Sequence, residues 1–433
     1  MVERYGITFA AVCCACLIYG GIYELPHPSR FHAPVPPERI MEVTGTVVSN
    51  PIQSASGSTY RVYFSVSELC AAVPLTAAQN AAGASAQGVF SGGGQVQLQI
   101  PAQIVEANLP DGLYSRYSAA GEAGVQDFLI EAGTKLSAGV SVMDADSARP
   151  IFYVQPDTVT VLSYQPTLRN RCRLALRQIL AAWGDAGALA LALFSASTDT
   201  LNDSVQDAFR TAGLAHVLAL SGMHLSLFAG ITRAAAKHAG RCISAAAGIA
   251  AAAAFIWFAG NSPSLFRSLL CMIIMTVYSW AGREPPFINV LSAAFLLQTI
   301  IAPQDMMQLS CILSYASLAG IAVCGQAVRN LLLRVRIPYS AAEQLGSSAS
   351  AQTATAPVTL AVFGTAAPIG VAASIIVSPL TDLFMGLSLC CIAVSACVPA
   401  LIPYAGIPVR CLYLLIARIV EWFALFPVVL LPQ

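Results

Sequence analysis

Charge is what this sequence has least of. Only 10% of its 433 residues are Asp, Glu, Lys or Arg, against about 25% in an average soluble domain; the shortfall excludes one water-soluble core for the whole chain. The formal net charge is zero, so no overall field names a partner and only the local distribution of charge carries information. Histidine is also sparse: His27, His32, His216, His224 and His238 form no HxHxDH cluster. Most of the thirteen cysteines lie in apolar runs, used as small hydrophobes, and no CxxC pair resembles a zinc site. Only Cys70 falls well inside the polar part of the chain, which therefore closes no internal disulfide. These gaps set the first expectations, which are no metal site, no cofactor and no catalytic residue.

Apolar residues are abundant, at 56%. The runs 243–260 and 264–282 and most of the sequence after Ala354 approach or exceed the ~18–20 residues that cross a hydrocarbon core. An earlier run, Ile7 to Tyr23, follows Arg4 and precedes "YELPHPSRFHAP" without a small-x-small cleavage site. It reads as a retained anchor and not as a signal peptide, with 1–38 as anchor and linker. The fold expected is a polytopic α-helical membrane protein with an extracytoplasmic all-β domain inserted after the first transmembrane helix.

That β-domain is placed at 39–164. "YRVYFSV" puts Tyr60, Val62, Phe64 and Val66 on one side, and "QVQLQI" alternates Val96, Leu98 and Ile100 with Gln95, Gln97 and Gln99. Period-two patterning marks half-buried strands. "MEVTGTVVS", "DFLIEAG" with "KLSAGVSV", and "TVTVLSY" are further strands, and "AAQNAAGASAQG" through "SGGG" is a loop. About five short strands suggest a small barrel, of which the OB-fold is one form. Its acidic residues outnumber its basic ones, which makes it a poor electrostatic clamp for nucleic acid.

Residues 165–200 read as amphipathic and interfacial helices. In "LRNRCRLALRQILAAW", Arg169, Arg173 and Arg177 recur every four residues beside a stripe of Leu168, Cys172, Leu176, Ile179 and Trp183. This is a surface basic helix, its arginines on lipid headgroups or guiding phosphates. The segment 186–197 is too short to span and is expected to be interfacial or re-entrant. From 201 to 433, basic residues set the orientation. With the first N-terminus inside, "TRAAAKHAGR", "GREPP" and "RNLLLRVR" all fall on the cytoplasmic side, whereas "NSPS" and "PQDMMQ" fall outside. Prolines 357, 368, 379, 399, 403, 408 and 427 interrupt the last third, as broken helices lining a cavity or as loops between short helices. Arg418 and Glu421 pair along one helix face.

"LAHVLALSGMHLSLFAG" (214–230) is read as one inward-running span. His216, Leu220 and His224 then fall on one side, with the histidines about 12 Å apart along the axis, too far for one metal. Ser221 followed by Gly222 raises an intramembrane serine protease, but neither histidine is spaced to serve Ser221 as a base. Ionisable groups at membrane depth face a bundle interior or a watery path.

"FRTAGLAHVLALSGMHLSLFAG" resembles the signature of the ComEC competence family, with Gly213, His216, Leu218, Ala219, Ser221, Gly222 and His224 at corresponding places. The resemblance continues through Pro263, Ser264 and Arg267, then Gln308, Leu309 and Ser310. It ends on Gln352, Thr355, Pro357, Phe363, Gly364 and Pro379; "EVTGTVVSNP" is similar to the opening of the family's OB-like domain. Three departures stand out: Ser268 for the usual alanine, Ser374 for a typical asparagine, and "LFSAS" without a nearby Gly-Asp.

The resemblance implies a channel for single-stranded DNA across the bacterial inner membrane during natural transformation. His216, Ser221, Gly222, His224, Arg267, Gln308 and Ser310 are expected to line the path, with Arg267 meeting phosphates or snorkelling to headgroups. Expected partners are single-stranded DNA, membrane lipid, a DNA receptor, a cytoplasmic DNA translocase and a second copy of the chain. A separate nuclease is expected too, since the metallo-β-lactamase-like domain of many members has no counterpart before Gln433. Two other readings stand beside this one, a small-solute exporter and a membrane scaffold without transport activity.

Overall fold

The structure is a computed structural model that describes residues 2–20, 31, 33–48, 52–53, 59–72, 87–101, 134–144, 152–163, 168–196, 200–218, 220–260, 262–363, 365–366, 369–426 and 429–430. Contacts divide the chain into two compact units. One comprises Met1–Pro26, Ile179–Ala196 and Thr200–Gln433, the other His27–Gln178 and Ser197–Asp199. The stretch 165–200 is thus shared between them.

The second unit is built on β1 (Ile40–Val47), β3 (Thr59–Ala72), β5 (Gln95–Pro101), β6 (Lys135–Asp144) and β7 (Phe152–Ser163), with short β2 (Ile52–Gln53) and β4 (Gln87–Ser91) attached to β3. Its order runs β1-β6-β7-β5-β3, and β3 pairs back onto β1. The sheet is therefore a closed five-stranded barrel, antiparallel except where Val96 of β5 lies opposite Phe152 of β7 in a parallel pair. Closure removes the unpaired edges that an open sheet of this size would expose. The alternation read from sequence is the alternation of burial. Val43, Val47, Val62, Phe64, Val66, Val96, Leu98, Ile100, Leu136 and Ala138 form one core. The strand expected at "DFLIEAG" lies outside the described residues. At Gly45 the register with β3 shifts, and a Cβ added there would fall 2.0 Å from the Ser65 carbonyl oxygen.

The first unit is helical. Its elements are α1 (Val2–Tyr19), α3 (Asp185–Ser195), α4 (Asp203–Thr211), α5 (Ala215–Leu218), α6 (Gly222–Ala235), α7 (Arg241–Ala259), α8 (Pro263–Trp280), α9 (Phe287–Ile301), α10 (Leu309–Arg334), α11 (Tyr339–Phe363), α12 (Gly370–Cys397) and α13 (Ile402–Ala424); α2 (Leu168–Ala181) begins in the barrel unit. Among the described residues, five helical stretches are long and apolar enough to cross a membrane: α7, α8, α10, α12, and α13 with the turn before it. Helix α1 belongs to this unit. It packs on α9 and α10 through Ala11, Ile18, Phe295, Met306 and Cys311, with the Thr8 hydroxyl donating to Asn289 Oδ1 at 2.8 Å and Tyr19 Oη to the Met306 carbonyl at 2.9 Å.

Five sequence expectations change here. The helix Leu214–Gly230 is not continuous, because α5 stops at Leu218 and α6 starts at Gly222. Helix α3, expected to be interfacial or re-entrant, is enclosed by protein at every residue from Ala186 to Ser195, as a helix apolar on all sides must be. Arg173 and Arg177 are not on a surface but 2% and 4% exposed, while Leu168 is 69% exposed, so the arginine face of α2 turns inward. Trp183, expected on the apolar stripe facing lipid, is fully buried; its Nε1 donates to the Ile402 carbonyl at 2.8 Å, and its indole fills the space a Cβ on Gly406 would need. Prolines 357, 379 and 408 sit inside continuous helices, Pro399 falls at the turn between α12 and α13 and Pro403 in the first turn of α13, and Pro368 and Pro427 lie outside the described residues. The Arg418–Glu421 pair is present at 3.5 Å.

Gly45→Ala is expected to destabilise the barrel by about 2 kcal/mol or more, because the obstructing atom is backbone that moves only by giving up β1–β3 pairing. Hydrogen exchange followed by mass spectrometry should show faster exchange in β1 and β3 and unchanged exchange in α7 and α8.

Candidate functional site

The break before α6 has a local cause. Ser221 is extended, with φ −120° and ψ 168°, and stands as N-cap ahead of Gly222. Its backbone N–H donates to His224 Nδ1 at 3.0 Å, and its hydroxyl lies 3.3 Å from the same nitrogen. This is a capping box in which histidine takes the place usually held by Glu or Gln. Since Nδ1 accepts a backbone N–H, the neutral ring carries its proton on Nε2. His224 is fully buried, and Nε2 has no partner among the described residues. The sequence reading put neither histidine close to Ser221; His224 is within 3.3 Å. Its Nδ1 lone pair receives the Ser221 N–H, and among the described residues no group bonds Nε2; in this geometry the pair caps the start of α6. His216, on short α5, is exposed and does not stack above His224.

Arg267 belongs to α8, whose first turn has Ser262 as N-cap and Pro263 as its opening residue. It is only 6% exposed. Nη1 donates to the Ser314 carbonyl at 3.2 Å and Nη2 to Ser268 Oγ at 3.0 Å; Ser268 in turn donates to the Ser264 carbonyl at 2.8 Å. Ser314 Oγ donates to Ser264 Oγ at 3.2 Å, joining α10 to α8. The guanidinium carbon stands 5.9 Å from the centroid of the Tyr315 ring. Tyr315 Oη donates to Gln298 Oε1 at 2.9 Å, and the fully buried Gln298 donates from Nε2 to the Pro263 carbonyl at 3.2 Å. Asp305, buried beyond the end of α9, accepts from Gln308 Nε2 at 3.2 Å through Oδ1, while Oδ2 has no partner among the described residues. Burial pushes its carboxyl above the usual carboxylate range, and the nearby Gln298 side-chain amide opposes that shift.

A polar seam therefore runs from Asp305 through Gln298 and Tyr315 to Arg267. It ends at the start of α6, where a Cβ on Gly222 would lie 2.4 Å from Ser268 Oγ and 3.5 Å from Arg267 Nη2. The seam ends on positive charge. Among the described residues no carboxylate pairs with Arg267, and its Nε has no acceptor. The start of α6 adds the partial positive charge of a helix N-terminus.

Of the residues singled out from sequence, Ser221, Gly222, His224 and Arg267 come together. Gln308 is exposed and touches the seam only through Asp305; Ser310 and His216 are exposed and outside it. Arg169, Arg173 and Arg177 lie on α2, in the barrel unit. Sequence reasoning missed Gln298, Tyr315 and Asp305 as members; the signal for Gln298 was an amide deep in the apolar run of α9. A second meeting point joins Gly213, Gln352 and Gly370, where a Cβ on Gly370 would stand 3.0 Å from both Gln352 Nε2 and the Gly213 carbonyl oxygen. Among the described residues, no group of three or more His, Cys, Asp or Glu side chains is placed to hold a metal ion.

The fold and the seam define a helical protein with several potential membrane spans packed around a buried cation. Residues 193–433, more than half of the chain, match the model of a family described as Competence protein. The chain belongs to that family, the ComEC type, and so to DNA uptake in competence. No curated protein and no solved structure matches it.

Gly222→Ala is expected to cost about 1–3 kcal/mol, the range for overfilling a packed site. Adding Ser268→Ala removes the oxygen in the way and should recover part of that loss, a coupling of about 0.5 kcal/mol or more. Thermal midpoints of the two single variants and the double variant in detergent give the cycle.

Proposed function

We propose that the helical unit is an inner-membrane channel that admits single-stranded DNA during natural transformation, with Arg267 and the start of α6 as a contact point for backbone phosphates. The observation that carries this is a buried guanidinium with no carboxylate beside it. A buried cation of this kind is costly unless an anion or water completes it. Phosphodiesters supply such an anion and suit the guanidinium fork. Gly222 leaves α6 close enough for its first amides to share the contact. Further support comes from α11, whose serines, threonines and Gln352 give a helix polar enough to border a hydrated passage. Ser350 on it is buried, while Ser347, Ser348, Gln352 and Thr355 are half-buried.

The barrel is read as OB-like. Its order, β1-β3-β5-β7-β6 closing on β1, with β5 and β7 parallel, supports that reading. The exposed basic residues Arg233, Lys237, Arg241, Arg283, Arg334 and Arg336 cluster at the ends of α6, α8 and α10. They favour a cytoplasmic position for those ends, with the barrel outside. Large apolar side chains such as Ile300, Val323 and Leu425 are 77%, 71% and 81% exposed and would meet lipid. No bond chemistry is assigned to the chain. A separate nuclease would prepare the strand, with a receptor outside and a translocase inside as further partners.

In a deletion strain complemented with Arg267→Gln, labelled DNA should still bind the cell surface. Internalised label should fall about 10- to 100-fold, the equivalent of one hydrogen bond to a charged group. Normal internalisation would refute the phosphate role, and uptake unaffected by the deletion itself would favour an exporter or a scaffold. His224→Gln keeps a residue able to cap α6 while removing the imidazole. Reduced uptake with an unchanged thermal midpoint is expected; normal uptake would confine His224 to the cap.

A further inference from the structure

Helix α12 carries a carboxylate where lipid disfavours one. Asp382 is the only acidic or basic residue among the 28 of Gly370–Cys397, one of the helices long and apolar enough to span. At 1.5 Å per residue it sits about 18 Å from one end of the helix and about 22 Å from the other. A side chain as short as aspartate cannot reach an interface from the middle of a hydrocarbon core about 30 Å thick. Asp382 is half-buried, and its Oδ1 is buried with no hydrogen-bond partner among the described residues.

Charged and titratable groups on the helices packed against α12 do not complete it. They are Asp185 on α3, His224 and Arg233 on α6, Tyr339 and Glu343 on α11, and Tyr404, Arg410, Cys411, Tyr413, Arg418 and Glu421 on α13. Among the described residues none of them forms an ion pair or a hydrogen bond with Asp382. Nor is a metal cation a fitting occupant: calcium or magnesium requires several oxygen ligands, and no cluster of three candidate ligands exists among the described residues.

The same helix carries a file of hydroxyls. Ser374, Thr381, Ser388 and Ser395 recur every seven residues, close to two turns, and all four are buried. From first to last they cover about 32 Å at the helical rise, the thickness of the hydrocarbon layer. Ser374 and Thr381 donate to their own helix, at the Gly370 and Val377 carbonyls, whereas Ser388 Oγ and Ser395 Oγ are buried without partners. Pro379 lies within the helix and lacks the N–H that would bond the Ile375 carbonyl, freeing an acceptor two turns before Asp382. A packing role for small hydroxyl residues accounts for the file but puts no carboxylate beside it.

We propose that α12 conducts protons, with Asp382 as the proton-binding group and the hydroxyl file holding the waters that reach it. A proton taken up from one side converts the carboxylate to the acid. Its release to the other side restores the carboxylate, and nothing is oxidised or reduced. The proposal requires α12 to cross the membrane but not that DNA passes, so it fails or stands separately from the channel reading.

The test uses the full-length chain in vesicles of phosphatidylethanolamine and phosphatidylglycerol, with a pH-sensitive dye inside and a potassium diffusion potential imposed by valinomycin. Rates are recorded with and without a single-stranded oligonucleotide. The wild-type chain should move protons faster than empty vesicles in at least one of these conditions. Asp382→Asn should fall to the empty-vesicle rate, Asp382→Glu should retain conduction, and Ser388→Ala with Ser395→Ala should slow it. Wild-type rates equal to empty vesicles in both conditions would overturn the proposal, as would Asp382→Asn conducting like wild type. If Asp382→Asn does not incorporate, the double serine variant decides, and an unchanged rate in it overturns the proposal.

Discussion

A cation enclosed in an apolar interior must be solvated by something, and around Arg267 that requirement shapes four helices. Its two Nη groups take the Ser314 carbonyl and Ser268 Oγ, and its face is offered to Tyr315. Those three partners come from α8 and α10, which the Ser264–Ser314 hydroxyl contact holds in register. Gln298 on α9 orients Tyr315, and α6 begins where Gly222 lets its backbone approach Ser268. Remove the guanidinium and the seam loses the group its polar atoms converge on; the Ser264–Ser314, Tyr315–Gln298 and Gln298–Pro263 hydrogen bonds would remain among contacts that are otherwise apolar, and apolar contacts in lipid discriminate weakly between one packing and another.

Close approach of backbone to backbone does the remaining work. On α10, a Cβ on Gly320 would stand 2.5 Å from Ala354 Cβ and 2.6 Å from the Ser350 carbonyl oxygen; on α11, one on Gly346 would stand 3.1 Å from the Arg329 nitrogen. Glycine on both sides lets α10 and α11 lie together along much of their length, the small-residue packing expected where no hydrophobic force drives helices together. Gly406 plays the same part for Trp183, whose carbonyl, with that of Ala182, receives the Arg410 side chain at 3.1 and 2.7 Å. The turn at Ala182 and Trp183 is thereby pinned to α13.

How legible each part was in the sequence follows from how local its cause is. Strands β3 and β5 could be read because Val62, Phe64, Val96 and Leu98 alternate within a few residues, and alternation is burial written along the chain. The parallel contact of β5 with β7 could not, since it joins residues some fifty positions apart and leaves no periodic trace. Ser221, Gly222, His224 and Arg267 stood out as polar or small residues in recognisable motifs, yet the break in the helix went unseen because a histidine in the capping position does not look like the usual Glu or Gln. Helix α2 shows a different limit. Periodicity separated its arginine face from its apolar face correctly, but the rule that the apolar face turns inward belongs to proteins in water. In a chain this poor in charge the outer surroundings can be apolar too, and there the sign of the rule is not fixed by the pattern.

Arg267 and Asp382 are the more telling for lying apart. Two opposite charges buried in one helical unit would each be stabilised most simply by pairing, and breaking a buried pair is strongly unfavourable. Here the cation bonds only neutral oxygens, the acid on α12 leaves one oxygen without a donor, and among the described residues neither meets an opposite charge. A fold that buries the guanidinium and one oxygen of the half-buried carboxylate, neither with an opposite charge among the described residues, leaves each to be completed from outside the chain. For the guanidinium the completing species must bring negative charge, as a phosphodiester does; for the carboxylate it need only bring a proton. The two groups therefore call for different ligands, and the proposed phosphate contact at α6 and the proposed proton path on α12 can be tested one without the other.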